Sequence, residues 1–114
     1  MTLTKATLVD RFKPKVQEFE HELLGKFYIK QRTELLRCRR IGALWDKSGN
    51  AIPEQHARRR AYSLIDQLCD SEGNNLFKES DLDEVLSLAS ESLDPIMEAI
   101  AVVNNELEKN DTGE

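Results

Sequence analysis

The chain has 114 residues, enough for one domain with a modest core. Apolar residues make up 39% and charged residues 32%, and no run approaches the ~20 apolar residues of a membrane span. The first residues, MTLTKATLVDRFK, lack the apolar stretch of a secretory signal, and two cysteines, Cys38 and Cys69, are too few for a disulfide framework, so a reduced, cytosolic protein is expected.

The net charge of −5 conceals an asymmetry. Residues 1–60 carry 14 Lys/Arg against 7 Asp/Glu, and residues 61–114 carry 2 against 14. A basic half and an acidic half can pair within one molecule. They can also steer a partner, or align copies of one chain head to tail.

In chain order, Thr4 or Thr2 is expected to cap a first helix with Leu8, Val9 and Phe12 on its inner face. Pro14 ends it. Residues 16–23 place Val16, Glu18, Glu20 and Glu22 on one parity, and Gln17, Phe19, His21 and Leu23 on the other. With Phe27-Tyr28-Ile29 beyond, the pattern predicts two short strands around Leu24-Gly25-Lys26. Thr33 opens a second helix with a stripe of Leu35, Cys38, Ile41 or Gly42, and Trp45, widened by Leu36 and Leu44. Pro53 starts a third helix, with Ala57, Ala61, Leu64, Ile65 and Leu68 on its apolar side. Arg58-Arg59-Arg60 sit poorly near a helix N-terminus, where the macrodipole favours anions. An acidic partner surface is one reason for them to stand there.

Two turns look alike, DKSGNAI at 46–52 and DSEGNNLF at 70–77, each leaving one helix for another. In the second, Leu76 and Phe77 read as anchors plugging the core. Ser80 is the expected N-cap of a fourth helix, with Asp83 completing a capping-box pattern and Leu82, Val85, Leu86 and Ala89 inward. Ser92 is the expected cap of a fifth helix carrying Leu93, Ile96, Met97, Ile100 and Val103. The fold class expected is therefore mainly α, about four to five short helices with a small N-terminal two-stranded β element. Residues 1–104 form a single domain and residues 105–114 a flexible polar tail.

Catalytic and metal chemistry find little footing. Asp70 to Asp81 begins like an EF-hand loop, but its sixth position is Asn75, its glycine comes early at Gly73, and its twelfth is Asp81 rather than glutamate. His21, Cys38, His56 and Cys69 lack paired zinc spacing. No spacing assembles a nucleophile with its base, and no glycine-rich phosphate loop occurs. The chain is read as a non-enzyme without cofactor or metal. A competing reading is a small nucleic-acid-binding regulator using Arg37, Arg39, Arg40 and Arg58 to Arg60. The acidic pI near 5.1 and the scarcity of aromatic residues near these arginines weigh against it.

The order of motifs in the C-terminal part resembles a known family. The acidic Gly-Asn turn Asp70-Ser71-Glu72-Gly73-Asn74, the Leu76-Phe77 anchor, the helix start Ser80 to Val85 and the last helix Ser92 to Asn104 follow the pattern of the tail assembly chaperones of long-tailed, lambda-like phages. The segments TLTKATLVDRFKPK and GKFYIKQRT resemble that family's opening, whereas residues 35–55 match only loosely. The resemblance implies a protein of the host cytoplasm that binds the tape-measure protein, keeps it soluble and promotes tail-tube polymerisation around it. Such a protein is absent from the mature virion. It also implies contact with the tail-tube protein through a longer form made by a −1 frameshift. Glu108-Lys109-Asn110 can be encoded by a slippery heptamer. Self-association in an open or spiral assembly is expected, with no nucleic acid or membrane as partner. The candidate basic surface holds Arg37, Arg40, Arg58 and Arg59; the candidate acidic surface holds Asp83, Glu84 and Glu91.

Overall fold

A computed structural model describes residues 2–105. The polar tail beyond Asn105, including Glu108-Lys109-Asn110, lies outside the described residues. The fold is mainly α with a small sheet. Helix α1 spans Lys5–Arg11, strands β1 and β2 span Val16–His21 and Gly25–Lys30, and α2 spans Glu34–Gly42. They are followed by α3 (Pro53–Ala57), α4 (Arg59–Gln67), the two-residue strand β3 (Leu68–Cys69), α5 (Leu82–Leu86) and α6 (Asp94–Val103). Single 3₁₀ turns, Glu79–Asp81 and Glu91–Leu93, precede the last two helices.

The expected two-stranded element gains a third strand. The antiparallel order is β1-β2-β3, with Phe19 opposite Phe27 and Ile29 opposite both Gln17 and Leu68. The chain reverses at residues 22–24, two residues earlier than expected, so Gly25 already belongs to β2, opposite His21. Phe19 and Phe27 stack with centroids 5.7 Å apart. They share the parity that carries Ile29, which is fully buried. This face of the hairpin packs against α6, and α4 closes the core with Ala61, Leu64 and Ile65, continued by Leu68 at the start of β3. Val85 of α5 and Ile96, Ala99 and Ile100 of α6 complete it.

Buried amides tie the layers together. Gln67 Nε2 donates to Lys30 O and to Asn104 Oδ1, both at 2.9 Å, and Asn104 Nδ2 returns a bond to Gln67 Oε1 at 3.2 Å. One reciprocal pair thus joins the end of α4, the end of β2 and the last turn of α6. Asn105 follows with φ 63°, the left-handed conformation in which a helix end is closed.

Several local expectations are corrected. Thr4 does cap α1, accepting from Thr7 N at 3.2 Å, but Leu8, Val9 and Phe12 all stand exposed and α1 buries no residue. A seven-residue helix is too short to be stabilised by its own hydrogen bonds and finds no intramolecular cover here. In α2 the inward line is Leu36, Arg40 and Leu44, whereas Leu35, Cys38, Ile41 and Trp45 are exposed. Both lines have helical spacing, so periodicity alone could not choose between them.

The expected single helix from Pro53 divides at Arg58 (φ −99°, ψ 8°), and Ala57 is exposed. The break lets α3 set His56 edge-on to Trp45, at 5.3 Å, while α4 follows the core. Ser80 and Ser92 are not caps. Ser80 lies inside the first 3₁₀ turn, where Asp81 Oδ2 accepts from Lys78 N at 2.8 Å, and Ser92 lies inside the second. A carboxylate accepts a charge-assisted bond more strongly than a hydroxyl does, which favours Asp81 in that role. Phe77 packs on the core as expected, but Leu76 is 54% exposed and plugs nothing. Leu86 and Ala89 likewise face outward.

The two Asp-Gly-Asn turns have the same hydrogen-bond pattern. Asp46 N donates to Asn50 O at 2.8 Å, and Asp70 N to Asn74 O at 2.9 Å. Gly49 N and Gly73 N each donate to the carbonyl of their aspartate at 3.0 Å. Asp46 Oδ1 accepts from Ser48 N and Asn50 N, as Asp70 Oδ1 does from Glu72 N and Asn74 N. The closing bonds, Ile52 N to Leu44 O and Leu76 N to Leu68 O, also correspond. Gly49 and Gly73 hold φ of 85° and 88°, where a side chain is strained.

Candidate interaction surfaces

The arginines expected to form one basic surface are distributed over different environments. Arg40 points inward from α2. Its Nε and Nη2 donate to the two carboxylate oxygens of Asp66, each at 2.8 Å, and its Nη2 lies 3.5 Å from Glu79. The guanidinium sits 4.2 Å from the centroid of the Tyr62 ring. Hydrogen bonding to Asp66 outweighs burial and pushes the Arg40 pKa further up, so the group is a fixed cation. A partly buried fork pairing with a carboxylate fixes α2 against α4. Arg40 is therefore committed to the fold and is not part of a free basic face.

Arg58 stands at the α3–α4 break, 3.8 Å from Glu54. Arg60 donates to Asp94 Oδ1 at 3.0 Å and to Ser90 O at 3.2 Å. α4 begins at Arg59 with no acid in its first turn, so the unfavourable interaction with the helix dipole is real. For Arg58 and Arg60 the compensating anion comes from this chain, not from a partner.

Arg59 lines a cavity of about 70 Å³ between α2 and α4, together with Leu36, Arg40, Leu44, Tyr62 and Asp66. Arg37 lines a separate, open groove with Phe12, Pro14, Glu34 and Val103. The structure thus brings Arg40 and Arg59 to one cavity and leaves Arg37 and Arg58 elsewhere.

The acidic side is more coherent. Asp83, Glu84 and Glu91 are all exposed, and residues 79–105 contain seven acids and no Lys or Arg. Asp83 and Glu84 occupy the first turn of α5, where the dipole favours them. Leu86 (44% exposed) and Leu88 (41%) lie between them and Glu91. The segment therefore carries exposed leucines and exposed acids close together in sequence.

No protein-family model matches this chain, and no curated protein or solved structure matches it. The surface chemistry must then be read from the chain itself. Among the described residues no three His, Cys, Asp or Glu side chains gather as a metal site, and no helix is long and apolar enough to cross a membrane. Cys69 is buried beside Tyr28 O, and burial pushes its thiol pKa up, away from the reactive thiolate. The Asp70 carboxylate, expected to belong to a structural turn, accepts backbone N–H bonds from Asn74 and Glu72, which hold its pKa below the usual aspartate value.

Sequence reasoning missed Asp66, Gln67 and Asn75. Asp66 and Gln67 are polar residues of α4 off its apolar stripe, yet they are buried to 8% and 1% exposure. Asn75 Nδ2 donates to Ile65 O at 2.7 Å and to Asp66 O at 3.3 Å, covering the last carbonyls of α4. Helical spacing carried no signal for the first two: residues 66 and 67 lie off the apolar stripe and are buried because Arg40 of α2 and the end of β2 cover that side of α4.

Proposed function

We propose that this protein is a tail assembly chaperone that holds the long, apolar, helical tape-measure chain in soluble form while tail-tube subunits polymerise around it. In this reading the protein acts by binding, in the host cytoplasm, and is absent from the finished virion. It is the short product, with a frameshifted longer product engaging the tail tube. The ordered motifs from Asp70 to Asn104 supply the resemblance. The structural observation that supports the reading best is unburied apolar surface on helices: Leu8, Val9 and Phe12 of the α1 segment, Leu35 and Ile41 of α2, and Leu86 of α5. A holder of apolar helices needs such surface, because charge alone gives an aliphatic client no shelter from water.

The first test is gene context, where a long helical reading frame is expected just downstream of this gene, and the second is co-expression with its product. The tape-measure product is expected in the soluble fraction and in complex with this protein, and in the pellet without it. Equal solubility with and without the protein, and no complex, would remove the proposal. The nucleic-acid reading asks for a continuous basic face from Arg37, Arg39, Arg40 and Arg58 to Arg60, of which Arg40 is held by Asp66 and Arg60 by Asp94.

A further inference from the structure

The apolar N-terminal helix and the acidic leucine segment lie toward opposite ends of α6. Phe12, just past α1, lines a groove with Val103 and Asn104, at the C-terminal end of α6. Residues 83–91 lead directly into the N-terminal end of the same helix. α6 has ten residues, so its ends stand about 15 Å apart, and each patch lies at or beyond its own end.

The two patches are complementary in both charge and polarity. Residues 2–15 carry Lys5, Arg11, Lys13 and Lys15 against Asp10 alone. Their apolar members Leu3 (62% exposed), Val9 (56%) and Phe12 (73%) have no cover in the monomer. Residues 83–91 carry Asp83, Glu84 and Glu91, no cation, and the exposed Leu86 and Leu88. Of the arginines that balance acids elsewhere, Arg40 is held by Asp66 and Glu79 and Arg58 by Glu54, while Arg60 pairs with Asp94 and touches this segment only at the Ser90 carbonyl.

We infer that α1 of one copy docks on the 83–91 segment of the next, with Leu8, Val9 and Phe12 against Leu86 and Leu88 and the lysines against Asp83, Glu84 and Glu91. This gives an interface to the self-association that the family resemblance implies, but it rests on the patches and not on the identity of the client. The two patches differ and stand apart on the molecule, so the contact is heterologous. It propagates into a ring or an open helical array rather than stopping at a dimer. A short helix with its flanks offers less than the ~800 Å² per partner of a standard stable interface, so the assembly is reversible and concentration-dependent. Apolar burial supplies the attraction and charge sets the partner and the register.

A mixing experiment on the full chain tests this. Lys5→Glu/Lys13→Glu has two acidic patches, and Asp83→Lys/Glu84→Lys has two basic ones. Light scattering is expected to show wild-type mass rising with concentration beyond a dimer, and each variant alone at the mass of one protomer. An equal mixture is expected to regain the large species, because each variant's α1 then meets an opposite charge on the other's segment. Phe12→Ser, which leaves charge and the core unchanged, is expected to lower the mass as well. Circular dichroism matching wild type establishes that each variant is folded. A monomeric wild type at its highest soluble concentration, or a mixture that stays monomeric, would overturn the inference. A chain that assembles this way but leaves the tape-measure product insoluble would sink the chaperone reading and leave this interface standing.

Discussion

The turns at 46–50 and 70–74 share one local code and differ in how they are connected to the rest of the molecule. Aspartate accepts the same two N–H bonds, glycine takes the same positive φ, and the same closing bond follows in each. Leu44 and Leu68 are buried before both turns, yet Trp45 beside the first turn is exposed, whereas its counterpart Cys69 beside the second is buried. The second turn also receives Lys30 Nζ on Gly73 O at 3.0 Å, and Asn75 next to it holds the end of α4. Residue 51, the counterpart of Asn75, is alanine and has no side-chain donor. An identical backbone device is therefore a local cap in one place and a joint between β2, β3 and α4 in the other.

The largest expected difference is between the leucines that precede the turns. Leu68→Ala opens a cavity in the core cluster and should cost about 2–5 kcal/mol in urea denaturation. Leu44 is buried but lies outside that cluster, so Leu44→Ala should cost about half as much or less. Equal losses would mean that the α2 segment belongs to the same cooperative core.

The glycines come next. An added Cβ meets nothing near Gly49 and only an ordinary 3.5 Å contact with Val16 Cγ2 at Gly73, so in both places the cost is backbone conformation. That cost is about 1–2 kcal/mol. Gly73→Ala should lower the global melting temperature by the full amount, because its turn is locked to the sheet. Gly49→Ala should chiefly increase amide exchange around residues 44–52. A larger melting shift at Gly49 would invert the comparison.

Asn75→Ala should cost about 1 kcal/mol by leaving the Ile65 and Asp66 carbonyls without their amide donor. The reverse change, Ala51→Asn, should leave stability within about 0.5 kcal/mol of wild type, since residue 51 is exposed. Chemical denaturation of both variants checks the pair.

The smallest effect is on acid stability. The folded-state pKa of Asp70 is depressed, so its contribution is complete above the unfolded aspartate value of about 3.9. It is lost as the pH falls through the lower folded-state value. Asp70→Asn should therefore flatten the stability curve slightly in that acid range and change its shape little near neutrality. An Asp70→Asn profile parallel to wild type down to the acid limit would show that these N–H bonds do not favour the charged form.

Much of this architecture was legible from local signals. The hairpin parity that turns Phe19 inward, the spacing of Leu64, Ile65 and Leu68, and the stripe of Ile96, Ile100 and Val103 each follow from a period of two or 3.6. Where two apolar stripes competed in α2, the spacing fitted both, and the choice depended on Asp66 lying across from Arg40. The residues of the candidate acidic surface are exposed, whereas the candidate basic surface loses Arg40 to Asp66 and Glu79, 26 and 39 positions away.

The sequence by itself determined the number and kind of most elements, the two Asp-Gly-Asn turns and the separation of charge along the chain, because these depend on near neighbours and composition. Tertiary structure alone decided that Arg40 belongs inside, that Gln67 and Asn104 form the amide joint, that Ser80 and Ser92 cap nothing, and that α1 remains bare. Those outcomes turn on which groups lie across space from one another and on whether a polar or apolar side chain finds its complement there. Bonding between residues 26 to 37 positions apart leaves no periodic trace in the sequence.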